Sequence, residues 1–197
     1  MEPDPSSPRP ADDAGPPEPT TATDPATPEV DDKDWTWTLQ QPCPDCGYDP
    51  ATVAREQLPE LVLAAVDRWV AVLARDDVRA RPAPRVWSPL EYACHVRDVL
   101  RIFAHRAWLI RREDNPQFAN WDQDRTALDE RYWEADPGSV AAEIRTAGPL
   151  AAAAFDAVAE GEWGRPGLRS NGSRFTLESL GVYFLHDVHH HLWDVHG

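Results

Sequence analysis

Two histidines four residues apart, His186 and His190, lie in a C-terminal stretch that also holds Asp187, His189, His191 and Asp194. On a helix this spacing stacks the two side chains one turn apart on one face, within reach of a single metal ion. Zinc proteases use the same spacing, but their motif needs a glutamate directly after the first histidine as general base, and here that position is Asp187. Downstream only His196 remains, so a third histidine ligand must come from His95 or His105. A helix through that region puts His95 with Tyr92, Val96, Val99, Ile102 and Phe103, and turns His105 to the charged side with Asp98, Arg101 and Arg112. His95 is therefore the third candidate ligand for a divalent ion. His191, about 140° round the helix from His186 at roughly 100° per residue, is expected to stand off the ligand face. The competing reading is a weak surface chelator or a tag, with His95 an ordinary core histidine. Against it, Leu192, Trp193 and Val195 carry an apolar helix on through the cluster.

A second group of metal-ligand type is Cys43-Pro-Asp-Cys46-Gly47-Tyr48. Cys-Pro-x-Cys-Gly is the form of one zinc-knuckle half, in which the glycine lets the backbone curl towards thiolate sulfur. Two thiolates do not fill a tetrahedral site, and Cys94 or a histidine would have to complete it. A redox pair and a tight turn with two incidental thiols are the other readings.

Four helical segments must position these residues. The first runs from about Arg55 to Arg75, with Pro59 in its opening turn. The second has a capping box, Ser88-Pro-Leu-Glu91, and extends to about Arg112. The third opens at Asp136-Pro137 and reaches about Glu160, with Pro149 expected to kink it. The fourth is capped by Thr176 and is apolar nearly all round, which places it centrally. Between the second and third lies a long segment, 117 to 137, in which Trp121 and Asp122 are candidates to roof a binding pocket. Asn171-Gly172 marks a chain reversal before the fourth helix. Trp35-Thr-Trp37-Thr-Leu39 alternates as a short extended strip would. The fold class is all-α, a four-helix bundle, a scaffold that builds metal sites from side chains on facing helices.

The chain has 197 residues, 42% of them hydrophobic, enough for one ordinary domain. Its net charge of −15 argues against nucleic-acid or anionic-membrane binding. Residues 1 to 34 contribute about half of it, with ten acidic side chains against Arg9 and Lys33. Residues 1 to 33 are rich in Pro, Asp, Glu, Ser and Thr and are expected to be disordered. The ordered domain then spans 34 to 197, with 34 to 54 as a Trp- and Cys-containing extension. An odd number of cysteines, three, and the lack of a basic-then-apolar leader read as cytoplasmic.

The capped Trp87-Ser-Pro-Leu-Glu91-Tyr-Ala-Cys-His95 and the later His186-Asp187-Val-His189-His190 together resemble the DinB/YfiT-like superfamily of four-helix metal-binding proteins, over about Arg55 to Gly197. That superfamily includes maleylpyruvate isomerases dependent on low-molecular-weight thiols. The resemblance implies a metal triad of His95, His186 and His190 holding zinc or nickel with open positions for water. It also implies an S-transferase or isomerase that uses a small thiol such as mycothiol with an electrophilic substrate. A metal-dependent hydrolase and a stress-related bundle with no turnover are the alternatives, and a homodimer is left open. Asp187, His189 and Asp194 are candidates to orient the ligands or move protons, and His189 could replace His190 as ligand.

Overall fold

A computed structural model describes residues 25–30 and 33–197. The expected disorder of residues 1 to 33 falls mostly outside the described residues. Within that span, residues 25–30 run beside the chain at 81–85, where the Glu29 amide donates to the Arg85 carbonyl at 3.0 Å.

Five helices form: α1 (Leu58–Leu73), α2 (Pro89–Arg112), α3 (Gln123–Asp129), α4 (Pro137–Asp156) and α5 (Leu177–Asp194). In α1, Leu58, Val62, Ala65, Trp69 and Val72 recur at three- and four-residue intervals and are all buried. At the start of α2 the capping box is complete. The Glu91 amide donates to Ser88 Oγ at 3.3 Å and the Ser88 amide donates to Glu91 Oε2 at 2.9 Å, so two otherwise orphaned amides are satisfied. Helix α4 continues through Pro149. In α5 the Ser179 amide donates to Thr176 Oγ1 at 3.1 Å.

Helices α1 and α2 each pack against both α4 and α5, so the four long helices enclose one core. Phe184 of α5 stacks between Phe103 of α2 and Phe155 of α4, with ring centroids 5.2 and 5.7 Å away. Close approach is specified by glycine. A Cβ on Gly148 would stand 2.4 Å from Val66 Cγ2, and one on Gly181 would stand 2.5 Å from Leu58 Cδ1. The architecture is the expected four-helix bundle.

Two local features depart from the sequence expectation. Trp35–Leu39 is a turn of 3-10 helix, not an extended strip, because Asp34 Oδ1 accepts the Thr36 amide at 3.0 Å and starts a helical turn. A small sheet is added to the bundle: β1 (Gln117–Phe118) pairs in parallel with β2 (Pro166–Arg169), which pairs antiparallel with β3 (Arg174–Thr176). Strands of two to four residues are too short to show a period in sequence. Gly172, with φ of +97°, makes the reversal between β2 and β3. The sheet ties the segment after α2 to the entrance of α5, and Trp121, just beyond β1, stacks on His95 of α2.

Candidate functional site

His95 lies in the second turn of α2 with no exposed surface, and its Nε2 is 3.2 Å from Asp187 Oδ1 on α5. Trp121 stacks on the His95 ring, centroids 5.2 Å apart and planes 11° apart, while its indole nitrogen donates to Thr126 Oγ1 at 2.8 Å. His191 meets His95 edge-on at 4.8 Å. One donor atom from each of His95, Asp187 and His191 lies within 4.8 Å of the others. Asp194 Oδ2 is 2.7 Å from His191 Nδ1, which turns His191 Nε2 towards Asp187 Oδ1 at 3.8 Å. A carboxylate on the far ring nitrogen is the usual support of a metal-binding imidazole, because it fixes the tautomer and the ring plane. Burial opposes ionisation of Asp187, but the charge and hydrogen bond of His95, with His191 and His186 adding, hold its carboxyl at about 2.

His186 and His190 meet a different set of partners. With Cys43 and Cys46 they form a second group whose donor atoms lie within 4.8 Å of one another. Cys43 Sγ is 3.6 Å from His190 Nδ1, and His190 Nε2 is 4.0 Å from Asp194 Oδ1. Burial, reinforced by the neighbouring His190, depresses the His186 imidazole to about 4, so it is neutral at physiological pH. Its Nε2 is buried without a hydrogen-bond partner.

The sequence reading joined His95 to His186 and His190. In the structure those residues are divided between two groups, and among the described residues no ligand cluster joins His95 to either of them. Helix α2 faces the side of α5 that carries 187 and 191, which lies about 100° from the side carrying 186 and 190. His191, expected to stand off the ligand face, lies in the His95 group. Cys94, considered as a partner for Cys43 and Cys46, is buried against the Tyr132 carbonyl instead. Asp98, read as a possible surface carboxylate, is also buried, accepting from Tyr132 Oη at 2.5 Å and from Arg97 Nη2 at 2.7 Å. His189 belongs to neither group: it packs by Tyr48, centroids 6.2 Å apart, and its Nε2 has no hydrogen-bond partner.

A cleft of about 400 Å³ is bordered by Asp34, Trp35, Trp121, Asp122, Arg169 and Tyr183, with His186, Asp187, His190 and His191 of α5 in its wall, so residues of both groups face it while His95 lies behind Asp187 and His191. Asp122 also caps α3, accepting the Arg125 amide at 2.8 Å. Arg169 and Tyr183 were not singled out from sequence. Neither carries a motif, and β2 and α5 bring them together only through the fold.

A family model described as the DinB superfamily matches residues 60–195. The chain belongs to the DinB superfamily. Among solved structures, one similar to it is described as "YfiT from Bacillus subtilis is a probable metal-dependent hydrolase with an unusual four-helix bundle topology". The similarity has a TM-score of 0.61 at 20% identity and covers 74% of this chain and 89% of that one. The two share the fold. A search of curated proteins found no match. The DinB match begins after the Cys43 and Cys46 segment, so those two residues are an addition of this chain to the matched region.

Proposed function

We propose that this DinB superfamily protein is a metal-dependent hydrolase whose ion is held by His95, Asp187 and His191 at the floor of the cleft. The observation that carries this reading is the orientation of His191, whose Nδ1 is engaged by Asp194 while its Nε2 faces Asp187 and the cleft. Two histidines and one carboxylate are the donor set of the zinc hydrolases, and three protein ligands leave a position open to reactants. A divalent ion there supplies Lewis acidity and lowers the pKa of an incoming nucleophile towards neutrality. The chain's own residues do the rest. Trp121 stacks on the face of His95, a ring with no exposed surface. Asp194 fixes the His191 tautomer. Arg169 places a fixed cation at the cleft wall, where it suits a substrate carrying an anionic group.

Transfer of a small thiol to an electrophile is the second reading, as the sequence resemblance implies. The same open position serves it, but a carboxylate ligand makes the centre harder than three imidazoles would and so less matched to thiolate. The ion itself, zinc or nickel, is part of this proposal, as is a cytoplasmic setting. No helix among the described residues is long and apolar enough to cross a membrane.

Untagged protein, analysed for metal and assayed on a panel of esters and amides, and separately on thiol plus electrophile pairs, tests both. Hydrolysis that disappears on chelation and in His95→Ala and His191→Ala supports the first reading. Turnover seen only with a thiol present moves the assignment to the second. Hydrolysis that survives complete removal of metal overturns the metal-dependent assignment.

A further inference from the structure

We propose that Cys43, Cys46, His186 and His190 bind a structural zinc ion in a closed site, distinct from the His95 group, which pins the extension 35–53 across α5. Four donors converge from two parts of the chain almost 150 residues apart, which hydrogen bonding within a tight turn does not require. Zinc–sulfur and zinc–nitrogen bonds put tetrahedral ligand atoms about 3.3–3.8 Å apart, and the Cys43 Sγ to His190 Nδ1 distance is 3.6 Å. The remaining donors lie within 4.8 Å, near enough for small side-chain rotations to complete the set.

Burial and charge point the same way. Cys43, His186 and His190 are 1, 3 and 8% exposed, and Cys46 is half-buried. An ion with two thiolates and two neutral imidazoles has no net charge, so it can be enclosed without the penalty of a buried uncompensated ion. His186 Nε2, buried and otherwise unpartnered, would gain a role for its side chain. The local backbone is built for the purpose. The Cys43 amide donates to the Tyr48 carbonyl at 2.8 Å, the Gly47 amide donates to the Cys43 carbonyl at 2.9 Å, and Gly47 takes a left-handed φ of +72° that curls the knuckle. Tyr48 then donates its hydroxyl to the Val182 carbonyl of α5 at 2.8 Å, and its ring packs on His186 at 5.3 Å. Trp35 closes the other side, 5.1 Å from the His190 ring. Four protein ligands leave no position for substrate, so the ion holds structure. A CxxC redox pair explains the two thiols but not the two histidines that converge on them. Asp34 and Trp35 border the cleft, and so do the ligands His186 and His190, so the zinc fixes one wall of the candidate active site.

Cobalt substitution of the full chain separates the two centres. The wild type is expected to show a thiolate-to-cobalt charge-transfer band and about two ions per chain, as expected when thiolate and imidazole sites both fill. The band should persist in His95→Ala and vanish in the Cys43→Ser/Cys46→Ser variant. If that double variant fails to fold, thiol labelling of the reduced wild type decides the matter: Cys43 and Cys46 should be protected with zinc bound and should alkylate at least tenfold faster after chelation. The absence of a thiolate band in the wild type overturns the proposal. So does Cys43 and Cys46 labelling that is indifferent to metal.

Discussion

Asp187 and His191 each follow, by one position, a residue of the other ligand pair, and a step of about 100° round the helix is enough to give them different partners. His186 and His190 look out to the extension; Asp187 and His191 look in to α2. Asp194 touches both pairs, 2.7 Å from His191 Nδ1 and 4.0 Å from His190 Nε2. Replacing it with asparagine should leave the fold intact and weaken metal binding about 10- to 100-fold, the usual cost of losing a supporting carboxylate. Chelator competition would read this, with the larger loss at the centre whose loss follows His191→Ala. His191→Ala is itself informative, because the spacing rule applied to His186 expects no effect. Loss of one ion per chain in that variant, measured by elemental analysis, would establish His191 as a ligand, whereas full occupancy would return the ligand set to histidines on the other face.

At the scale of elements, α5 is the strip on which both centres are written, and its seat in the bundle sets their geometry. Gly181 allows α5 to approach α1 and α4 so closely that a Cβ there would meet Leu58 Cδ1 at 2.5 Å and Phe155 Cε1 at 3.0 Å. Gly181→Ala should therefore destabilise the protein by about 1–3 kcal/mol through overpacking, despite alanine's better helix propensity. Chemical denaturation would show it as a lower midpoint; an unchanged or higher midpoint would mean that Leu58 and Phe155 yield freely. The start of α2 loses stability by a different route. Ser88→Ala removes a cap and leaves the buried Glu91 with its ion pair to Arg81 but without the Ser88 hydroxyl, which donates to Glu91 Oε2 at 2.7 Å. A loss of about 1–2 kcal/mol is expected in the same denaturation measurement. Capping signals of this kind are local, and they placed the first residue of α2 from sequence alone. The extension was misread because alternating Trp and Thr residues suit a strip and a helical turn alike, and only the Asp34 side chain decides between them.

For the molecule as a whole, the buried histidines make stability depend on pH. His186 is depressed to about 4 from 6.5, chiefly by burial, and His189 and His190 shift the same way. A histidine whose folded value lies below its unfolded one stabilises fully above the unfolded value, and that contribution is lost as pH falls. The metal-free protein should therefore lose stability between about pH 6.5 and 4, by ~3 kcal/mol from His186 if its full shift is realised. Below that window Asp187, held at about 2, adds a further loss. Thermal melts of metal-free wild type against His186→Phe would check this: the wild type should fall with acid and the variant less steeply. Equal slopes would mean that His186 takes up its proton as readily in the fold as in the unfolded chain. What the sequence determined by itself was the periodic and the local: four long helices, their caps, a helical face bearing His186 and His190, and His95 as the inward histidine of α2. Those follow from the 3.6-residue period and from bonds between neighbours, which any short window contains. Which donors share an ion was decided by tertiary structure alone. Cys43 reaches His190 across 147 residues of chain, and His95 reaches Asp187 across 92, through the crossing of α2 with α5 and the fold-back of the extension, and the rotation of one helix against another is set by packing over the whole core.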